Sequence, residues 1–185
     1  GVLIVAGGAN FPDGLPWNGG KKKYQDEIFV LQQKRKGKFQ WLDSKAFKLP
    51  FATAYSANVN TSHGIAYLGG ENENGIYKAA FLLQWNKESE KVEIENLPDL
   101  PIPLTNASAT VNKNIIYIAG GETVNAVSAN FYSLDLNNTA SGWKQLPDLP
   151  FAVSNAVMVV QSNGVKDKIY LLGGRKKNTS AVSSF

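Results

Sequence analysis

The chain has no cysteine and one histidine, His63. That excludes a disulfide scaffold, and it excludes a zinc site built from the usual sulfur and imidazole ligands. A Ser-His-Asp triad would have to use His63. That residue lies in Asn60-Thr61-Ser62-His63-Gly64, a turn-forming sequence, and reads as an exposed turn residue. Only two of the 19 basic residues are arginines, Arg35 and Arg175. Neither sits in an aromatic-rich nucleic-acid motif, so neither DNA nor RNA is an expected partner. No apolar run approaches the roughly 18 residues that a spanning helix needs, so no membrane is expected either. No window sustains a 3.6-residue apolar period over helical length. Gly7-Gly8-Ala9-Asn10 is followed by no helix, which rules out a dinucleotide fingerprint. No acidic series has calcium-loop spacing. Neither a metal nor an organic cofactor is expected. The net charge of +4 is mild. The basic residues gather at Lys21 to Lys23, at Lys34 to Lys38 around Arg35, and at Arg175 to Lys177. The second cluster reads as a solvated hairpin tip.

What the chain does have is a repeat. An apolar run ending in Gly-Gly occurs four times, closing at Gly8, Gly70, Gly121 and Gly174, at intervals of 62, 51 and 53 residues. A period near fifty marks a solenoid or a propeller. In the third copy Gly121, Tyr132 and Trp143 follow one another at steps of 11 residues. The second copy keeps the step with Phe81 and Val92. The first reads Gly8, Phe29, Trp41, with about ten residues inserted. Units close on Leu49-Pro50, Leu97-Pro98-Asp99-Leu100-Pro101 and Leu146-Pro147-Asp148-Leu149-Pro150.

The segments read as strands, because they are short, rich in β-branched and aromatic residues, and bounded by Gly, Asn and Pro. In the third unit they are expected at 107–111 (strand A), 115–119 (B), 130–136 (C) and 142–146 (D). The prolines after strand D remove ladder donors and force an extended exit. Four antiparallel strands per unit, repeated radially, describe an all-β propeller. The expected division is a blade lacking strand A at 1–50, full blades at 51–101 and 102–150, and an incomplete blade at 151–185. A blade cannot bury both its faces alone. The chain by itself is therefore expected to aggregate or oligomerise, with the remaining blades supplied by the same longer chain or by another. The Gly-Gly pair suits a point where strand B leaves a crowded sheet with positive φ and close backbone approach. The Trp of strand D suits a contact between blades.

Gly-Gly, an aromatic at a fixed step and a Trp on the fourth strand resemble the kelch repeat over the whole chain. Residues 5–31, VAGGANFPDGLPWNGGKKKYQDEIFVL, are similar to the opening of the cyclically permuted mutarotase family. GGENENG (69–75) and the LPDLP joints fit the same family. The resemblance implies a six-bladed kelch propeller that interconverts the anomers of a sialic acid such as N-acetylneuraminate. Ring opening takes a proton from the anomeric hydroxyl and delivers one to the ring oxygen. In that family the resemblance implies a catalytic Glu and Arg on one blade, in a motif that resembles Gly-Glu, a few residues, Pro-Gly, one residue, Arg. Here Gly70-Glu71 is followed by NENGIYK and Gly121-Glu122 by TVNAVSA, neither containing arginine. The catalytic pair is therefore expected beyond Phe185, and no catalytic residue is assigned within the chain. An exported bacterial location such as the periplasm is implied, with the cytoplasm as the alternative. A propeller that binds a protein or glycan without chemistry is the alternative function.

In such a fold the B–C loops and the D–A joints open on one face, where a rigid scaffold carries binding loops. The candidate substrate-binding residues there are Asn10, Trp17, Lys21, Glu71, Glu122 and Arg175. Trp17 would stack on a sugar face or else pin its loop to the body. Lys21 to Lys23 would attract an anionic sugar or else be solvated charge. Arg175 has the fork that matches a carboxylate. Glu71 and Glu122 would hold the ligand or else cap turns through backbone N–H groups.

Overall fold

The computed structural model describes residues 1–42 and 47–176. Lys177 and the rest of the expected fourth unit to Phe185 lie outside the described residues. Among the described residues, seventeen strands form four principal sheets and two small hairpins. Sheet one holds β1 (Val2–Ala6), β4 (Ile28–Gln33) and β5 (Phe39–Trp41). Its long insertion carries a two-residue ladder of β2 (Ala9–Asn10) with β3 (Lys23–Tyr24). Sheet two holds β6 (Ala57–Thr61), β7 (Gly64–Leu68), β10 (Ala80–Asn86) and β11 (Lys91–Asn96), with the small hairpin β8 (Glu71–Asn72) and β9 (Gly75–Ile76). Sheet three runs β12 (Ser108–Asn112), β13 (Ile115–Ala119), β14 (Phe131–Asp135), β15 (Lys144–Leu146). Sheet four pairs β16 (Ser154–Ser162) with β17 (Asp167–Arg175). Every pairing is antiparallel, and the strand order within each principal sheet follows the chain. This is a partial kelch-type β-propeller. No helix among the described residues is long and apolar enough to cross a membrane.

The cores lie between sheets. Ile28, Val30, Tyr67, Phe81 and Leu83 fill the space between sheets one and two. Leu68, Leu82, Ile116, Ile118 and Leu134 fill the next. Alternation along β7 and β10 divides the two sets, since successive side chains of a strand point to opposite faces. Both faces of sheet two are therefore covered, which explains why IAYL and AFLL read as unbroken apolar runs. β6, β12 and β16, the first strands of sheets two, three and four, lie side by side. Ser108 Oγ on β12 donates to the Ala156 carbonyl on β16 at 2.6 Å.

The Gly-Gly pairs are joints between sheets. The second glycine donates its N–H to the next sheet's entry segment: Gly8 to the Thr53 carbonyl at 2.8 Å, Gly70 to Leu104 at 2.8 Å, Gly121 to Val153 at 2.9 Å. The first glycine holds φ of +65 to +70 at Gly7, Gly69, Gly120 and Gly173. Trp143 bridges sheets as expected, packing against the core shared by sheets two and three and donating Nε1–H to the Pro98 carbonyl at 2.8 Å. Trp41, on sheet one, instead meets Phe29 edge-on at 6.5 Å and is 53% exposed.

Tyr67 ties sheet two to sheet one. Its ring stacks on Phe81 at 5.4 Å, and its hydroxyl donates to the Ala6 carbonyl at 2.8 Å. Burial pushes its pKa from 10.0 to about 12. The phenol is neutral when protonated. Its stabilising contribution is therefore complete below pH 10 and is lost as the pH climbs from 10 to 12. Roughly 2–3 kcal/mol of stability should disappear across that window through this residue. Denaturant titrations of wild type and Tyr67→Phe from pH 9 to 12 check it: the variant should show a correspondingly shallower alkaline loss.

Candidate binding site at the propeller mouth

The residue after each Gly-Gly occupies an equivalent place on one face. Three of these residues pair with the strand-A entry of their own sheet: Glu71 with Ala54, Glu122 with Thr105, Arg175 with Ser154. One residue further along each entry segment, Tyr55, Asn106 and Asn155 hold φ of 58, 53 and 54. They are linked in series. Asn106 N–H donates to the Tyr55 carbonyl, and Asn155 N–H to the Asn106 carbonyl, both at 2.9 Å. The serial bonds build a rim that crosses three sheets. Asn adopts this conformation more readily than Tyr, because its short amide bonds locally.

A cleft of about 560 Å³ opens on this rim, lined by Lys22, Tyr55, Glu71, Asn106, Glu122, Asn155 and Arg175 among others. Glu122 is buried, its side chain 7% exposed. Its Oε1 accepts from Ser154 Oγ at 2.6 Å, from the Arg175 guanidinium at 3.1 Å and from Asn155 Nδ2 at 3.3 Å. Glu71 Oε1 accepts from the Tyr24 hydroxyl at 3.0 Å. Both carboxylates thus take side-chain donors, rather than capping turns through backbone N–H groups. The Lys22 ammonium sits over the Tyr24 and Tyr55 rings, 5.4 and 4.9 Å from their centroids. Burial pulls its pKa down, but the two phenols outweigh that and leave it above the ordinary lysine value. Burial raises the Tyr24 pKa, and the Glu71 carboxylate raises it further, so Tyr24 stays a donor. Among the described residues no cluster of three or more His, Cys, Asp or Glu could hold a metal ion.

Of the six residues singled out from the sequence, Glu71, Glu122 and Arg175 come together here. Lys21 is exposed and does not line the cleft; its neighbour Lys22 does. Asn10 lies on β2, where its Oδ1 accepts from Gln25 Nε2 at 2.7 Å. Trp17 sits in a single 3-10 turn, Pro16–Asn18, and is 78% exposed. Sequence reasoning passed over Tyr24, Tyr55, Asn106, Ser154 and Asn155. A signal was present: the entries FATAYSA, IPLTNAS and FAVSNAV align on the residue before the final small pair.

Among cleft side chains, two cations and two carboxylates surround open space, with amides between them. Such a set suits a ligand that carries both a carboxylate and several hydroxyls, because forked donors match carboxylates and carboxylates accept from hydroxyls.

A scan against protein-family models finds no match. The N-acetylneuraminate epimerase of Brucella suis is 30% identical over 90 residues, covering 49% of this chain and 21% of that protein. The N-acetylneuraminate epimerase of Vibrio cholerae is 31% identical over 107 residues, covering 50% of this chain and 25% of that protein. The matched stretch is a quarter or less of those curated relatives' length. The solved structure of YjhT superposes with a TM-score of 0.59 at 12% identity, over 80% of this chain and 52% of that one, a likeness of fold. Sequence and architecture agree with the resemblance read from residues 5–31: the chain is similar over about half its length to the N-acetylneuraminate epimerases, and it shares the fold of the YjhT propeller.

Proposed function

We propose that the intact protein interconverts the anomers of a sialic acid such as N-acetylneuraminate, and that this chain supplies part of the sugar-binding mouth of a six-bladed propeller. The observation that carries the reading is the meeting of Arg175, Lys22 and two carboxylates in one cleft on the rim. Arg175 offers a fork for the sugar carboxylate, and Lys22 adds a point charge. Glu71 and the amides of Asn106 and Asn155 would accept from and donate to hydroxyls. The chemistry moves a proton off the anomeric hydroxyl and another onto the ring oxygen as the C–O ring bond breaks. Reclosure on the other carbonyl face reverses both transfers. We assign the acid and base to blades outside residues 1–185, because neither Gly70-Glu71 nor Gly121-Glu122 is followed by Pro-Gly-x-Arg.

Two exposed apolar faces support further blades. Leu3, Val5, Phe29 and Trp41 present one on sheet one, and Val157, Val159, Tyr170 and Leu172 present the other on sheet four. Contiguous apolar faces of this kind mark surfaces that are normally covered. The same reading favours the bacterial periplasm or another exported compartment, with the cytoplasm as the alternative.

Anomer exchange of N-acetylneuraminate followed by NMR tests the proposal. The intact protein should accelerate exchange well above the buffer rate. Exchange at the buffer rate would overturn the enzymatic reading, leaving a propeller that binds a glycan or protein.

A further inference from the structure

Of the two carboxylates in the cleft, Glu122 is the buried one, and it is held from several sides. Its backbone exchanges two hydrogen bonds with Thr105, at 2.7 and 3.0 Å. Ser154, its shortest partner, is itself 1% exposed. Asn155 reaches the same oxygen from the left-handed rim position. All three side-chain bonds end on Oε1. A buried charge this well satisfied cannot swing, since leaving its partners would strand it in low dielectric. The guanidinium it grips is different. The Arg175 side chain is 47% exposed, and one terminal nitrogen is committed to Glu122, leaving the rest of the fork for the cleft.

We propose that Glu122 is a positioning residue, which locks the Arg175 guanidinium across the rim and thereby sets the site's affinity for the carboxylate of an acidic sugar. The inference rests on the sugar-acid reading and names the device that makes Arg175 selective. A free arginine loses much rotamer freedom when it captures a ligand; one already fixed loses less. Lys22 cannot take over this role, because an ammonium held over two rings is a point charge without a fork.

The sign of one substitution separates positioning from simple charge. Glu122→Gln is nearly isosteric and removes a negative charge beside Arg175. Coulomb attraction alone then predicts tighter binding of an anion. Positioning predicts weaker binding, by about tenfold. Ser154→Ala leaves all charges in place and loosens only the grip on Glu122; it should weaken binding by roughly threefold. In an Arg175→Met background, Glu122→Gln should have no further weakening effect. The measurement is titration of the intact protein with N-acetylneuraminate by calorimetry, with thermal unfolding of each variant alongside. Weaker binding by Glu122→Gln and Ser154→Ala, abolished as an effect in the Arg175→Met background, supports the proposal. Equal or tighter binding by Glu122→Gln and an unchanged Ser154→Ala overturn it while the sugar reading stands. A wild-type protein that does not bind the sugar overturns both.

Discussion

Replacing Gly120 by alanine is expected to cost about 4 kcal/mol or more and to destroy the cooperative unfolding transition of the intact protein. A Cβ at Gly120 would stand 2.2 Å from the Val153 carbonyl oxygen and 3.3 Å from its carbon. Both obstacles are backbone, so no side-chain rotation relieves them. The same carbonyl accepts the Gly121 N–H at 2.9 Å, so the sheets cannot separate without breaking the joint. Positive φ adds its own penalty of about 1–2 kcal/mol for a residue with a Cβ. Gly37 supplies the control. It has φ +71 in an exposed turn, and no atom beyond its own chain neighbours lies within 4 Å of the point where an alanine methyl would stand. Gly37→Ala should therefore cost only the backbone penalty, about 1–2 kcal/mol. Denaturant unfolding of the two variants measures the contrast; equal losses would mean that the joint yields.

Arg175→Met should weaken binding of N-acetylneuraminate by roughly 10- to 100-fold, the range expected when a charge-assisted hydrogen bond to a carboxylate is removed. Methionine keeps much of the stem and removes the fork. Lys166→Ala makes a suitable comparison, because Lys166 lies on the exposed turn between β16 and β17. It lowers the net charge by the same unit and should leave binding unchanged to within about twofold, since surface charges beyond a Debye length are screened. Titration with the sugar at fixed ionic strength compares them. Equal effects from the two variants would show that overall charge, rather than a fork at the rim, attracts the ligand.

The frame of the molecule was legible because backbone constraints leave marks in sequence. Gly-Gly at intervals of 62, 51 and 53 residues marks three joints and a fourth equivalent pair, and at Gly7, Gly69 and Gly120 only glycine fits a φ near +65 beneath a neighbouring carbonyl. Strand A of the third unit, expected at 107–111, occupies Ser108–Asn112, one residue later. Side-chain direction was less legible. Among three consecutive lysines, the choice of Lys22 depends on the short β2–β3 ladder, which pairs Asn10 with Lys23 and Ala9 with Tyr24. Two residue pairs are too few to leave a periodic signal. Glu71 and Glu122 both line the cleft, but their partners come from segments 47 and 32 residues away in the chain, Tyr24 and Ser154. Local pattern cannot name such partners. Asn155 and its equivalents left an aligned signal, but a left-handed rim is a property of backbone torsion that Tyr, Asn and Asn share without sharing chemistry.

The series Tyr55, Asn106, Asn155 joins sheet to sheet through amides and carbonyls alone. The architecture of the entrance is consequently indifferent to which side chains hang from it, provided each tolerates the left-handed turn. Substitutions at these three places can retune what the opening admits while the two main-chain bonds between them stay intact. Ligand preference can then diverge between descendants of one scaffold at little structural risk.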